Sequence, residues 1–281
     1  MRRFALGLGL ALAAVANAKT VEEAIELPVS ASNIHGRSFS QTIKVVIWRD
    51  DERARAPFLV LNHGRPAQAA EMATMGIVRY AESSKYFVGK GFAVFVPTRL
   101  GYGATGGEDV EYSGACEAKK YPPAYEAAVQ QLLKVVEHAR GLPYVDSARG
   151  LIVGQSMGGM TAIALAAKNP PGVLAAVNFA GGGGGDPAAR PENPCRYDLL
   201  EALFGEYGAK ARIPTLWLYS ENDRYWGKKK PLAWFAAFRA QGGTGEFVQL
   251  PPFGADGHAA FTRNPDAWRP AFDAFMRRQG F

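Results

Sequence analysis

The sequence has few of the residues from which metal centres are built. Its 281 residues include two cysteines and four histidines. Cys116 and Cys195 form no CxxC pair, and two cysteines cannot close a zinc site without histidines at suitable spacing. Beyond residue 18, no stretch approaches the roughly 20 apolar residues that a transmembrane helix requires. The sequence therefore predicts no metal site and, in the mature chain, no membrane span.

A large excess of one charge is also missing. The chain has 32 Lys and Arg residues against 26 Asp and Glu residues, a formal net charge of +6. Residues 1–18 contain two arginines and no acid, so the charge without them is +6 − 2 = +4. The basic triplet from Lys228 to Lys230 is predicted to be the solvated start of a helix rather than a phosphate-binding patch. We therefore expect no nucleic-acid partner.

The first eighteen residues have the pattern of a secretory signal peptide. Arg2 and Arg3 precede an apolar run from Phe4 to Val15, and Ala16-Asn17-Ala18 follows as a small-x-small cleavage site. A buried N-terminal helix is the alternative interpretation. A signal peptide over residues 1–18 predicts an exported protein, either periplasmic or secreted.

The rest of the sequence predicts an α/β fold. Thr42–Trp48 is rich in β-branched residues and predicts a strand. Short apolar runs then follow that suit strands buried on both faces of a parallel sheet. These runs are Phe58–Leu61, Phe92–Pro97, Leu151–Gly154, Val173–Phe179, Thr215–Tyr219 and Phe247–Leu250. Helical patterns alternate with them, at Ile77–Val88, Tyr125–Arg140, Met157–Ala167, Leu232–Ala240 and Trp268–Arg278. The alternation predicts a doubly wound, mostly parallel sheet with helices on both faces.

No internal repeat or long linker divides this pattern, so we expect residues 19–281 to form a single domain. The segment 181–211 is rich in Gly and Pro, with one short helical stretch at Asp198–Phe204, and we interpret it as a small lid or pocket wall. In an exported protein, Cys116 and Cys195 are expected to form one disulfide that ties this segment to the pocket rim. Two unpaired buried thiols are the alternative.

The strongest chemical signal is Gly154-Gln155-Ser156-Met157-Gly158-Gly159. It directly follows an apolar strand and opens a helix, which is the context of a G-x-S-x-G nucleophile elbow. Small neighbours let the chain turn sharply and leave the Ser156 hydroxyl accessible. The alternative is a glycine-softened helix start with Ser156 as the capping residue. We interpret Ser156 as the nucleophile.

Serine requires an adjacent base, and His258 is the predicted one. It lies in the loop Gly254–His258, after the last predicted strand, where the strand ends of this topology converge. The expected order along the chain is Ser, acid, His, and Ser220-Glu221-Asn222-Asp223 supplies an acid at the end of a strand.

Asp223 is the acid that we choose. Glu221 is its nearer competitor, and Asp186 is the second. Asp256 is too close to His258 along the chain to be a comfortable partner.

His63-Gly64-Arg65-Pro66 follows the strand Phe58–Leu61 and is predicted to form an oxyanion turn. The backbone amides of Arg65 and Met157 are the expected donors of the oxyanion hole. His63 itself is interpreted as a structural histidine that holds this turn, not as a base or metal ligand.

These four motifs resemble those of the α/β-hydrolase superfamily, and more closely those of its dienelactone-hydrolase-like and small serine esterase members. The resemblance covers almost all of the mature chain and implies an α/β-hydrolase fold. Dienelactone hydrolases have cysteine at the elbow, whereas this chain has Ser156, which favours ordinary ester hydrolysis. Arg99-Leu100-Gly101-Tyr102-Gly103 also looks like a loop that edges the pocket in this superfamily, with a plain Gly-rich turn as the alternative.

The predicted activity is transfer of an acyl group from a small-molecule ester to water, with no metal or organic cofactor. Tyr225 and Trp226 are candidates for the wall of an acyl site, with a core role as the alternative. An exopeptidase-like amidase with the same residues is a second hypothesis. A catalytically silent binding protein on the same fold is a third.

Overall fold

The computed structural model describes residues 19–281, and all eight strands within that range belong to one sheet. They are β1 (Thr20–Ser32), β2 (Ser38–Asp50), β3 (Ala56–Asn62), β4 (Ala93–Thr98), β5 (Val145–Gln155), β6 (Val173–Phe179), β7 (Thr215–Ser220) and β8 (Gly245–Leu250). Their order across the sheet is β1-β2-β4-β3-β5-β6-β7-β8. The predicted signal peptide lies outside the described residues.

Strands β3 to β8 run parallel to one another, whereas β1 and β2 form an antiparallel edge. Every residue of β4 and β7 is buried, which is why these segments read as continuous apolar runs rather than as alternating ones. Side chains of β4 alternate between two apolar clusters, with Phe95 in one and Val94 in the other. The predicted doubly wound, mostly parallel sheet is confirmed.

Helices cover both faces of the sheet. They are α1 (Ala69–Ala73), α2 (Ala81–Gly89), α3 (Tyr121–Arg140), α4 (Met157–Ala166), α5 (Tyr197–Lys210), α6 (Lys229–Ala240), α7 (Ala260–Arg263) and α8 (Pro265–Arg278). Buried residues of α3 to α6 belong to one apolar cluster, and those of α2, α7 and α8 belong to the other. No helix within residues 19–281 is long and apolar enough to cross a membrane.

Several predicted helix bounds were wrong for local reasons. Helix α2 begins at Ala81 rather than Ile77 because Tyr80 adopts a left-handed conformation, with φ 45°. Helix α3 begins at Tyr121, since proline is well tolerated in the first turn of a helix. Helix α5 is longer than the predicted short stretch. A Cβ at Gly208 would lie 2.1 Å from the Phe238 carbonyl oxygen, so this glycine permits close packing against α6 rather than ending α5.

The structure contains a disulfide between Cys116 and Cys195, with the two Cα atoms 5.0 Å apart. Cys116 opens a short 3-10 turn after β4, and Cys195 lies just before α5. The bond therefore ties the segment that precedes α3 to the segment that follows β6. Both cysteines of the sequence are in this bond, so the alternative of two unpaired cysteines was wrong.

Candidate active site

Ser156 occupies the sharp turn between β5 and α4. Its backbone angles are φ 55° and ψ −125°, a strained conformation for a residue with a side chain. A Cβ at Gly154 would lie 2.0 Å from the Gly158 carbonyl oxygen, and one at Gly158 would lie 2.4 Å from the Asn62 carbonyl oxygen. Only glycine fits these two positions. The motif is therefore a strand-to-helix elbow, and Ser156 is not a conventional helix cap.

The turn after β3 packs directly against this elbow. A Cβ at Gly64 would lie 3.0 Å from Ser156 Cβ and 3.6 Å from Ser156 Oγ. Arg65, Ser156 and Met157 line one cavity. Within the described chain, the backbone amides of Arg65 and Met157 donate to no protein acceptor. Unpaired donors beside a serine hydroxyl are what an oxyanion hole requires.

His63 stabilises this turn through hydrogen bonds at both of its ring nitrogens. Its Nδ1 bonds the Gly64 carbonyl oxygen at 2.7 Å, and its Nε2 accepts from the Arg99 amide at 3.2 Å. Because the amide is the donor at Nε2, the proton sits on Nδ1 and the ring is neutral. Burial and the neighbouring Arg99 guanidinium lower the pKa of His63 well below 6.5. Both nitrogens are occupied in the turn, as expected for a structural histidine.

A buried ion pair supports the same turn. Arg99 Nε donates to Glu111 Oε1 at 2.6 Å, and Arg99 Nη1 donates to the His63 carbonyl oxygen at 2.8 Å. Both charged side chains are fully buried. Burial and Glu111 raise the pKa of Tyr102, whose hydroxyl donates to Glu111 at 2.7 Å. Neither Arg99 nor Tyr102 lines the cavity beside Ser156, so the predicted pocket edge instead lies behind the turn after β3.

The structure brings His258 and Asp223 together. The Asp223 carboxylate accepts at Oδ2 from His258 Nδ1, at 2.9 Å, and Asp223 is completely buried. Its Oδ1 accepts from the backbone amides of Tyr225 and Trp226, at 2.8 and 3.2 Å. These two amides hold the carboxylate in place. Because Asp223 occupies His258 Nδ1, His258 Nε2 is the ring nitrogen available for proton transfer.

The three competing acids have other partners. Glu221 pairs with Lys228 at 2.9 Å. Asp186 accepts from the amides of Ala188 and Ala189. Asp256 accepts from the amides of His258 and Arg224, both at 3.0 Å, and so fastens the histidine loop to the acid turn. This role of Asp256 was not predicted from the sequence, although an aspartate often caps the backbone amide two residues after it in a turn.

Ser156 Oγ makes no hydrogen bond to any of residues 19–281 in this conformation. His258 nevertheless lies next to the elbow, since Gln155 Nε2 donates to the His258 carbonyl oxygen at 3.4 Å. Tyr225 and Trp226 both contact the imidazole ring, and both line the cavity that contains Ser156. Bonds between nucleophile and base are often long before substrate binds.

The cavity beside Ser156 has a volume of about 200 Å³. Gly182 to Asp186, Arg190 and Cys195 form one wall, all within the segment 181–211. The Tyr121 hydroxyl donates to the Cys195 carbonyl oxygen at 2.5 Å, and the Tyr125 hydroxyl donates to the Gly182 carbonyl oxygen at 3.0 Å. The disulfide and these two tyrosines therefore hold the wall against α3.

Residues 37–280 match the model of the alpha/beta hydrolase family. The chain belongs to this family. No curated protein matches the sequence. As an alpha/beta hydrolase, the protein carries its Ser156 elbow and its His258 loop at the strand ends where this fold places them.

Solved structures of other hydrolases share the fold of this alpha/beta hydrolase. An acetyl xylan esterase from a Paenibacillus species is 14% identical, with a TM-score of 0.59, 92% of this chain covered and 88% of the esterase. A dienelactone hydrolase-like promiscuous phosphotriesterase from metagenomic libraries is also 14% identical, with a TM-score of 0.55 and coverages of 92% and 98%.

A third similar structure is a longer protein. The acylaminoacyl peptidase of Pyrococcus horikoshii is 16% identical, with a TM-score of 0.60 and 91% of this chain covered. The match spans only 41% of the peptidase. At these identities, the three structures establish the shared fold alone. They are consistent with the resemblance to dienelactone hydrolase-like members of the family.

Proposed function

We propose that this hydrolase cleaves carboxylic esters through an acyl-enzyme intermediate. The nucleophile is Ser156, the base is His258 and Asp223 orients the base. The observation that carries the proposal is the 2.9 Å bond from His258 Nδ1 to a buried Asp223, with the strained Ser156 elbow beside the same histidine loop. A neutral imidazole held in this way accepts a proton at Nε2.

The proposed reaction has two steps. Ser156 Oγ attacks the ester carbonyl carbon while His258 Nε2 takes the hydroxyl proton, and the amides of Arg65 and Met157 donate to the oxyanion. His258 then returns the proton to the departing alcohol, which leaves an acyl group on Ser156. In the second step, water attacks the acyl carbon by the same proton route, and a carboxylic acid is released.

The size of the cavity favours small esters. About 200 Å³ accommodates a short or medium acyl group, and it is below the range of drug-sized ligand pockets. An amide leaving group must be protonated as the carbon–nitrogen bond breaks, so it demands tighter control of its orientation. The acylaminoacyl peptidase has more than half of its chain outside the region that this hydrolase covers. Ester hydrolysis is therefore favoured over the amidase hypothesis.

A panel of para-nitrophenyl esters tests the proposal. Acetate and butyrate esters are expected to give kcat/KM values well above that of the decanoate ester, and an aminoacyl para-nitroanilide is expected to react barely at all. Ser156→Ala serves as the background control for each substrate. Equal kcat/KM values for the anilide and the best ester would replace this proposal with the amidase hypothesis.

We also propose export to the periplasm or the medium. The disulfide between Cys116 and Cys195 indicates an oxidising compartment. The basic and apolar pattern of residues 1–18 supports the same interpretation. Expression of the full chain in a bacterium tests it. Mature protein that begins at Lys19 in the periplasmic fraction is the expected result, and intact chain in the cytoplasm contradicts it.

A further inference from the structure

Three basic side chains line the cavity beside Ser156: those of Arg65, Lys119 and Arg190. Arg65 has a partner outside the cavity wall. Its guanidinium donates to both carboxylate oxygens of Asp109, at 2.7 and 2.5 Å. The charge of Arg65 is therefore compensated within the protein. The other two basic groups differ in this respect.

Lys119 has no acidic partner within the part of the chain that the structure describes. Its ammonium donates to the Gly114 carbonyl oxygen at 2.6 Å and to Ser113 Oγ at 3.2 Å, both neutral acceptors. Burial lowers the pKa of Lys119, and the nearby charges of Arg65 and Arg190 lower it further. A bound anion would relieve this repulsion.

The Arg190 side chain has fewer hydrogen-bond partners than that of Lys119. Its Nε is buried and has no hydrogen-bond partner among residues 19–281. Its guanidinium forms no salt bridge with a described acid either. The backbone fixes its position, because the Arg190 amide donates to the Asp186 carbonyl oxygen at 2.8 Å in a tight turn. The Arg190 side chain is half-buried and lines the cavity without a hydrogen bond or salt bridge to any of residues 19–281, so its charge is available to an anionic ligand.

The acids of the cavity leave a positive charge uncompensated. Glu111 lines the cavity but is fully engaged by Arg99. Asp186 also lines the cavity, and one of its oxygens is occupied by the amides of Ala188 and Ala189. Lys119 and Arg190 thus face Asp186 alone, and one net positive charge remains in the cavity.

We infer that Arg190 and Lys119 form a carboxylate-binding subsite, and that the preferred substrates are esters which carry a free carboxylate. The inference rests on the proposed ester hydrolysis at Ser156 and names the chemical class of its substrate. A planar carboxylate matches the planar fork of a guanidinium and neutralises a single excess charge. Because Lys119, Arg190 and Ser156 line the same cavity of about 200 Å³, one small ligand can contact both this subsite and the Ser156 hydroxyl.

The test compares esters that differ only in charge. Mono-para-nitrophenyl adipate carries the carboxylate on the acyl side, and its methyl ester is the neutral match. The anion para-acetoxybenzoate carries it on the alcohol side, and its methyl ester is again the match. For at least one pair, the charged ester is expected to have a kcat/KM about ten-fold or more above its neutral match at low ionic strength. Added salt is expected to reduce this ratio.

Variants assign the preference to the two side chains. Arg190→Gln is expected to lower the charged-to-neutral ratio by roughly ten-fold, and Lys119→Gln is expected to lower it in the same direction. Arg190→Lys is expected to restore part of the ratio, because it keeps the charge without the planar fork. Lys134→Gln is the control, since it removes one positive charge from an exposed position on α3 that does not line the cavity.

The outcomes separate the two proposals. A protein that hydrolyses the neutral esters without preferring either charged ester overturns the carboxylate subsite and leaves ester hydrolysis intact. A preference that persists in both Arg190→Gln and Lys119→Gln, or that falls equally in Lys134→Gln, also overturns it. A protein that hydrolyses none of the four esters overturns the proposed function, and the inference that rests on it falls as well.

Discussion

The Tyr225 ring lies nearly parallel to the His258 imidazole, with ring centroids 3.9 Å apart and an angle of 24° between the planes. The amide of the same tyrosine donates to the Asp223 carboxylate that holds the imidazole from its Nδ1 side. One residue therefore positions both members of the pair, through its ring and through its backbone. Its side chain also lines the cavity beside Ser156.

Loss of the Tyr225 ring is expected to impair turnover rather than folding. Tyr225→Ala removes the stack on His258, so the imidazole is less well placed for proton transfer, and kcat is expected to fall by about ten-fold or more. Tyr225→Phe keeps the ring and is the matched control. Steady-state kinetics on a short-chain ester measures both. Equal losses of kcat in the two variants would assign the effect to the hydroxyl instead.

Asp223→Asn is expected to cost roughly 10³-fold to 10⁴-fold in kcat. An amide at this position cannot stabilise the imidazolium that forms on His258, and it favours the wrong ring tautomer. Glu221→Gln removes only an exposed ion pair with Lys228 and is expected to retain most of the activity. Asp186→Asn provides a second comparison. Similar losses in Asp223→Asn and either of the other variants would contradict the assignment of the acid.

The order of the motifs along the chain was sufficient to predict that Asp223 and His258 lie together, with the Ser156 elbow beside the histidine loop. A glycine-flanked serine between a buried strand and a helix predicts an elbow, and a loop histidine after the last strand is the candidate base. The stack of Tyr225 on His258 and the cap that Asp256 provides were not predictable in the same way. Both depend on how the acid turn and the histidine loop meet in space, which no local pattern in either segment specifies.

The disulfide is expected to stabilise the cavity wall. It links residues 79 positions apart, and closure of a loop of that length contributes about 4.5 kcal/mol in the chain-entropy model. A Cys116→Ser, Cys195→Ser double variant is therefore expected to lose roughly 2–4 kcal/mol in the free energy of unfolding. Urea denaturation measures the loss. Intact mass before and after reduction checks the bond, and two free thiols in periplasmically produced protein would contradict it.

The free energy of unfolding is expected to decrease as the pH is lowered below about 6.5, because of His63. Its pKa in the folded protein is well below 6.5, since burial and the Arg99 guanidinium disfavour the charged ring. As the pH falls below about 6.5, the unfolded chain binds a proton at this residue and the folded chain does not. The free energy of unfolding therefore decreases by about 1.4 kcal/mol per pH unit from this group, until the folded pKa is reached.

His63→Gln isolates this contribution. Urea denaturation at about pH 7.5 and pH 5.5 is expected to show a smaller loss of stability in the variant than in the wild type, by roughly 1.4 kcal/mol. His35→Gln removes an exposed histidine from the turn between β1 and β2 and is the control. An identical pH dependence in the wild type and His63→Gln contradicts the neutral, buried assignment.

Neither the bounds of several helices nor the burial of the Arg99–Glu111 ion pair could be predicted from local sequence patterns. Glycines in α5 resemble a helix stop, but Gly208 instead permits contact with α6, 30 residues away at Phe238. Arg99 and Glu111 look like surface charges in a glycine-rich loop. Arg99 is nevertheless buried, because it donates to the Asn62 side-chain oxygen, to the His63 carbonyl oxygen and to the Glu111 carboxylate, groups that only the fold brings together.

The central claim is that Ser156 is the nucleophile of a serine hydrolase. Reaction of the purified protein with a fluorophosphonate, followed by peptide mapping with mass spectrometry, tests it most directly. A single adduct on Ser156 is expected. Ser156→Ala is expected to show no labelling and an ester turnover at least about 10³-fold lower, with a nearly unchanged melting temperature. An adduct on a different residue, or wild-type turnover in Ser156→Ala, would contradict it.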